Sequence, residues 1–101
     1  MVKTYTLYKS DNLLKKYKVY VISKTGNVKK IEFGAKGYSD YTKHKDLERK
    51  ERYIKRHEKK ENWKDPTTAG FWSFWILWNL PTIRSSLTYT RKRFNLKPEF
   101  I

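Results

Sequence analysis

The sequence predicts a small α+β fold in which an N-terminal antiparallel β-hairpin or three-stranded sheet is followed by about three helices. Alternating polar and apolar β-forming residues fill the first third of the chain, and apolar residues at helical spacing fill the second half. A length of 101 residues fits a single domain. We divide it into a hairpin region 4–33, a glycine- and tyrosine-rich loop 34–45, a helical region 46–94 and a tail 95–101.

The strands are predicted from alternation and from turn residues. Residues 4–9 alternate polar with apolar β-formers, and residues 15–23 do the same with Tyr17, Val19 and Val21 on one face. A turn that contains Gly26, whose positive φ is accessible to glycine, leads into a partner strand over 28–33. These residues predict the hairpin and, with the first strand, a three-stranded sheet.

The first helix is predicted from Asp46, an N-cap residue, to about Lys60. Apolar and amphipathic side chains recur there at three- and four-residue spacing. The stripe consists of Leu47, Lys50, Ile54 and His57, widened by Tyr53. Glu51 precedes Lys55 by four residues, an arrangement that favours a helical ion pair.

The second helix is predicted to begin at Asp65-Pro66, because aspartate caps helices and proline fits their first position. It carries large apolar side chains almost all the way round: Phe71, Trp72, Phe74, Trp75, Ile76, Leu77 and Trp78. Such a helix must be buried on most sides, by its own domain or by a partner. A third helix is predicted over about 82–94, with Ile83, Leu87, Thr90 or Arg91, and Phe94 on one side.

The aromatic helix is also the predicted site of contact with a partner protein. Tryptophan, tyrosine and arginine are the residues that most often carry the energy of protein interfaces. We expect Trp72, Trp75 and either Leu77 or Trp78 to point inward, and the remaining side chains to face a neighbour. With the apolar tail as a docking arm, the predicted contact residues are Phe71, Trp72, Phe74, Trp75, Trp78, Phe100 and Ile101.

The net charge of +14, from 24 basic and 10 acidic side chains, favours anionic partners: nucleic acid, acidic protein surfaces or anionic lipid. The basic side chains of the first helix that could neutralise phosphates are Arg49, Arg52, Lys55, Arg56, Lys59 and Lys60. The alternative is a solvated helix face paired with Glu48, Glu51 and Glu58. Tyr38, Tyr41 and Tyr53 could stack on bases, although core packing is an equally strong interpretation of Tyr41 and Tyr53.

We expect no catalysis, no cofactor, no metal and no small-molecule substrate. The chain has no cysteine and two histidines, His44 and His57, whose spacing from Asp40 or Asp46 matches no metal motif. No serine has a nucleophile-elbow setting, and no phosphate-binding glycine loop occurs. A metal-dependent enzyme that uses His44, Asp46 and His57 is the remote alternative.

No membrane span or signal peptide is predicted. The N-terminus lacks the apolar core of a signal peptide. The most apolar run, 71–80, has roughly half of the ~20 residues that a transmembrane helix requires.

Five motifs follow one another in the central part of the chain. They are FGAxGYSDYTxHxD from Phe33, RKxxYIxRH from Arg49, ENW from Glu61, TAGFWS from Thr68 and LWNxPT from Leu77. Through these motifs, residues 17–87 resemble a family of small, basic, uncharacterised proteins encoded mainly by large nucleocytoplasmic DNA viruses of algae and protists.

The resemblance implies a viral gene product made in a eukaryotic host, and it carries over no catalytic residue. It implies a minor capsid or virion component that binds larger capsid proteins, located in the virion and otherwise in the host cytoplasm or nucleus. The predicted function is therefore non-enzymatic and structural. The alternative is a nucleic-acid-binding protein for genome packaging or transcription, and an anionic membrane surface is a further candidate partner.

Overall fold

Four strands form one mixed sheet in the computed structural model, which describes residues 2–98. Strands β1 (Val2–Lys9), β2 (Lys15–Ser23) and β3 (Val28–Ala35) pair in antiparallel fashion. Strand β4 (Lys97–Pro98) lies parallel to β1, and the strand order is β3-β2-β1-β4. The three predicted strands are confirmed, and the tail adds the fourth.

The β2–β3 turn forms as its glycine predicts. Gly26 has a φ of 88°, and its amide donates to the carbonyl of Ser23 at 3.0 Å. The register pairs Val19 with Leu7 on one side and Ile31 on the other, which places all three on the face that the helices cover.

Helices follow the three-stranded part of the sheet and confirm the α+β class. They are α1 (Tyr41–His44), α2 (Leu47–His57), α3 (Ala69–Trp72) and α4 (Ile83–Phe94). Helix α3 continues as a π-helical segment (Ser73–Trp78), so we call residues 69–78 the central helix. Within residues 2–98, none of these helices is both long enough and apolar enough to cross a bilayer.

The region predicted as a loop over 34–45 contains helix α1. Its N-cap is Asp40, whose carboxylate accepts a hydrogen bond from the Thr42 amide at 3.0 Å. A four-residue helix has no periodicity from which a sequence could reveal it. Asp46 is the N-cap of α2, as predicted, but α2 ends at His57 and Leu47 is 62% exposed, so the predicted stripe is wrong at its first residue.

The prediction that a helix begins at Asp65-Pro66 is wrong. The Asp65 carboxylate accepts hydrogen bonds from the amide and the hydroxyl of Thr67, at 2.9 and 2.6 Å, and so closes a turn. These bonds lower the pKa of the carboxyl group below its usual value. The central helix begins later, at Ala69, because the Thr68 hydroxyl caps it by accepting from the Phe71 amide at 3.2 Å.

The central helix is surrounded by its own chain. On the side of the sheet, the ring centroid of Trp72 lies 5.6 Å from that of Tyr5. On the side of α4, Phe71 meets Phe94 edge-to-face at 4.8 Å. Other aromatic residues, described below, cover the third side. A helix that is apolar all round is therefore satisfied within the domain.

This burial corrects the predicted protein contact. Phe71 and Trp72 are fully buried and Phe74 and Trp75 are 8% exposed, so these side chains offer almost no surface to a neighbour. Trp78 is half-buried. The expected inward orientation of Trp72 and Trp75 is what the structure shows, whereas the expected outward orientation of Phe71 and Phe74 is wrong.

Residues 96–98 of the tail, which we predicted to be a docking arm, pack against their own domain. Leu96 is buried in the core, and Lys97 and Pro98 pair with Thr4 and Tyr5 of β1. The contacts predicted for Phe100 and Ile101 lie outside the described residues.

Candidate functional site

Helix α2 presents its predicted anion-binding side chains to solvent. All of them are exposed: Arg49, Arg52, Lys55, Arg56, Lys59 and Lys60. Lys50, on the opposite face, is tied to the domain instead. Its ammonium group donates to the carbonyl of Asn79 at 2.6 Å and lies 5.1 Å from the ring centroid of Tyr41.

A stack of aromatic rings fixes α2 to the central helix. Tyr53, the buried residue of α2, lies with its ring centroid 4.3 Å from that of Trp78, and the two planes differ by 7°. Phe74 stacks in the same way on Trp63 at 4.1 Å. Tyr53 is also nearly parallel to Phe74 at 6.5 Å. Burial on this stack raises the pKa of the Tyr53 hydroxyl.

A cleft of ≈ 950 Å³ opens between α2 and the sheet. Its cationic side chains come from two elements that are distant in sequence. They are Arg49, Arg52, Lys55 and Arg56 of α2 and Lys15 and Lys16 of β2. We call this the basic cleft. The other two predicted side chains, Lys59 and Lys60, lie beyond the end of α2 and do not line it.

Gly34 contributes to the wall of the basic cleft. It lies in β3 with a φ of 77°, and a Cβ atom built there would lie 2.8 Å from Cδ1 of Leu77. Leu77 is on the central helix and also lines the cleft. The absence of a side chain at position 34 thus lets the strand and the helix approach closely.

Each acidic group of the basic cleft lies close to a basic side chain. Asp40 pairs with Lys16 at 2.6 Å and Glu32 with Lys30 at 3.6 Å, and Nδ1 of His57 lies 4.0 Å from Glu61. The remaining cations of the cleft make no ion pair within residues 2–98. The same holds for Glu48 and Glu51 of α2 and for Glu58 at its C-terminal end, so the Glu51–Lys55 pair that we expected is not formed. The positive charge on this side of α2 is therefore available to an external anion.

A second, smaller hollow of ≈ 580 Å³ adjoins the basic cleft. Its cations, besides Lys16, are Lys9, Lys36 and Lys43, and we call it the lysine hollow. Tyr38 lines both cavities and is 75% exposed. Tyr41 and Tyr53, by contrast, are each 7% exposed and belong to the core. Of the three tyrosines that could stack on bases, only Tyr38 has the surface to do so.

The residues of the remote metal-enzyme alternative have structural contacts. Nδ1 of His44 accepts a hydrogen bond from the Asp46 amide at 3.0 Å, and the ring of His44 packs on Trp78 at 5.4 Å. His57 packs on Tyr53 at 4.4 Å. Between residues 2 and 98, no three histidine, aspartate or glutamate side chains are grouped closely enough to hold a metal ion.

Comparison with known families identifies one family. One family model matches residues 5–57, which is more than half of the chain. The chain belongs to DUF5754, a family of unknown function. The DUF5754 match extends from β1 to the end of α2, so it includes every cation of the basic cleft and of the lysine hollow. No curated protein and no solved structure matches the chain.

The sequence alone did not reveal the contribution of β2 and of the loop to this site. From the sequence, Lys15 and Lys16 could equally be strand residues that face solvent. Only the fold places them opposite α2. The one available signal is the pair of glycines, Gly34 and Gly37, which indicates unusual backbone angles in the segment just before Tyr38.

Proposed function

We propose that this protein binds nucleic acid through the basic cleft. One observation carries the proposal: Arg49, Arg52 and Arg56, with Lys55 and Lys15, surround a single cleft and make no ion pair within the described chain. Arginine donates paired N–H groups in a geometry that matches phosphate oxygens. Several such groups around one cleft suit a ligand with repeated phosphates.

The size and the continuation of the charge favour a polymer over a small anion. The basic cleft is open to solvent along α2, and the lysine hollow continues the positive surface past Tyr38. A small anion would satisfy two or three of these cations and leave the others unpaired. A nucleic-acid backbone carries a phosphate at every nucleotide, so it neutralises cations in both cavities at once and releases its counterions.

The scaffold suits a binding role. The arginines project from a helix that is anchored by the stack of Tyr53 on Trp78. Lys16 is held by its ion pair with Asp40. Because these supports belong to the folded core, little backbone entropy is lost when the ligand binds.

The test is binding of the purified full-length protein to a fluorescently labelled oligonucleotide over a series of salt concentrations. We expect log K to fall linearly with log salt. Arg52→Ala and Arg56→Ala should each weaken binding and reduce the magnitude of the salt slope by about one.

The matched control is Lys59→Ala, which removes an exposed cation from the same stretch of chain but outside the cleft. It should change the affinity and the slope less than either arginine variant. Absence of binding at low salt would refute the proposal, and so would equal effects of the Lys59 and Arg52 variants. Anionic vesicles, measured in parallel, test the membrane alternative.

A minor capsid or virion component is the second candidate. Its support is no longer the aromatic helix but the β1–β2 turn, where Leu13 and Leu14 are 86% and 74% exposed. Two adjacent exposed leucines on a turn offer apolar surface to a larger protein. Mass spectrometry of purified virions should find the protein in many copies, and its absence there would exclude this role.

A further inference from the structure

We propose that the nucleic acid is single-stranded and that one of its unpaired bases stacks on Tyr38. This inference rests on the nucleic-acid-binding function proposed above and specifies its ligand. Its starting point is the position of Tyr38, an aromatic side chain that is 75% exposed and lies where the basic cleft meets the lysine hollow.

The backbone of Tyr38 is held in place from both sides. Its amide donates to the carbonyl of Ala35 at 3.4 Å, and its own carbonyl accepts from the Lys16 ammonium group at 2.6 Å. The same ammonium group pairs with Asp40, which is 2% exposed and caps α1. The exposed ring is therefore attached to a fixed backbone, and only its two side-chain torsions need to be ordered on binding.

Both cavities that Tyr38 lines contain cations. The arginines of α2 line one cavity, and Lys9, Lys36 and Lys43 line the other. A strand whose backbone passes over the loop would place phosphates in both cavities. The base between them would then lie at the level of Tyr38. Alternation of phosphate-binding cations with an aromatic face is the arrangement by which proteins bind single strands without reading sequence.

A duplex does not fit this arrangement. Its bases are stacked on one another and present only their edges in the grooves. The face of an exposed tyrosine therefore has no partner on an intact duplex, whereas every unpaired base offers one. The geometry thus distinguishes single-stranded from double-stranded ligands, although both carry the phosphates that the arginines require.

The experiment compares three labelled probes with the full-length protein: a single-stranded DNA oligonucleotide, the duplex of the same sequence, and a single strand of the same length made of abasic sites. The variants are Tyr38→Ala and Tyr38→Phe, and the control is Tyr8→Ala, which removes a tyrosine that is 39% exposed outside both cavities. Thermal unfolding of each variant establishes that it is folded.

We expect Tyr38→Ala to weaken single-strand binding by about 5- to 150-fold, the range that base stacking on one aromatic side chain provides. The salt slope should not change, because no phosphate contact is removed. Tyr38→Phe should retain the affinity, and Tyr8→Ala should behave like the wild type. The abasic probe should bind the wild type and Tyr38→Ala equally, since it has phosphates but no bases.

Two outcomes overturn the inference while leaving the proposed function intact. One is a duplex that binds as tightly as the single strand, and the other is a Tyr38→Ala variant that binds the single strand like the wild type. Failure of all three probes to bind at low salt has a different meaning, because it would overturn the proposed function and this inference with it.

Discussion

At the scale of single residues, Gly34 has two reasons to be glycine. Its φ of 77° lies in the left-handed region, and an added Cβ would lie 2.8 Å from Cδ1 of Leu77, so one of the two groups would have to shift. The glycines at 34 and 37 predicted unusual backbone angles, which the structure confirms. The close approach of the strand to the central helix is a feature of the tertiary structure, and no local pattern in the sequence could indicate it.

Gly34→Ala should therefore destabilise the protein more than a glycine substitution that introduces backbone strain alone. We expect about 1–2 kcal/mol from the left-handed conformation and about 1–3 kcal/mol more from overpacking against Leu77. Urea denaturation of Gly34→Ala measures the sum of these two losses in the free energy of unfolding.

Gly26→Ala provides the comparison, because Gly26 has a φ of 88° but nothing within 4 Å of an added Cβ. Gly26→Ala should lose only the free energy that the left-handed conformation costs. Equal losses in the two variants would show that the strand and the helix move apart at little cost.

At the scale of elements, the loop that carries Tyr38 is connected to the sheet by one largely buried ion pair. The side chains of Lys16 and Asp40 are 12% and 3% exposed, and their charged atoms lie 2.6 Å apart. Asp40 also caps α1 through the Thr42 amide. The pair therefore positions β2, the loop and α1 relative to one another, at the boundary of the two cavities.

Asp40→Asn removes the charge of this pair but retains a good N-cap residue. It leaves the Lys16 ammonium group largely buried without its counter-charge, so we expect a loss of about 3 kcal/mol in the free energy of unfolding. The double variant Asp40→Asn with Lys16→Met should recover more than half of that loss, because no unpaired charge remains. A double variant that is as unstable as Asp40→Asn would assign the loss to the cap and not to the charge.

The sequence predicted elements well where local signals agree, and poorly where side chains compete with the helix. The start of α2 is predicted correctly because Asp46 caps it, and Tyr53 lies within its apolar stripe. The start of the central helix was misplaced because Asp65 bonds Thr67 in a turn, which an isolated Asp-Pro pair does not reveal. For the candidate site, the sequence indicates the arginines of α2. It does not indicate the lysines of β2, Lys15 and Lys16, that line the same cleft.

At the scale of the whole molecule, three tyrosine hydroxyl groups make the free energy of unfolding depend on pH in the alkaline range. Burial raises the pKa of Tyr5, Tyr17 and Tyr53 above the ordinary value for tyrosine. In the unfolded chain these groups lose their protons near pH 10. Their contribution to stability is thus fully present below about pH 10 and is lost as the pH rises through the folded pKa values.

The wild type should therefore lose stability steeply above pH 10. Tyr53→Phe should lose it less steeply, because one of the three raised pKa values has been removed. Urea denaturation of both proteins between pH 7 and pH 11 gives the two slopes. Tyr53→Phe also loses the hydrogen bond from the Tyr53 hydroxyl to Ser73. The difference between the two free energies of unfolding at pH 7 measures this loss and is subtracted at the other pH values. Parallel curves for the two proteins would contradict the prediction.

The short parallel pairing of β4 with β1 has a consequence for the order in which the chain assembles. Thr4 and Tyr5 meet Lys97 and Pro98, each pair separated by 93 residues along the chain, so β1 is made well before β4. Until the last of these residues leaves the ribosome, the outer edge of β1 has no neighbour there, and an open edge readily pairs with another strand. Closure of this edge is thus a late, long-range event in folding, and the nascent chain is most exposed to misassociation just before it occurs.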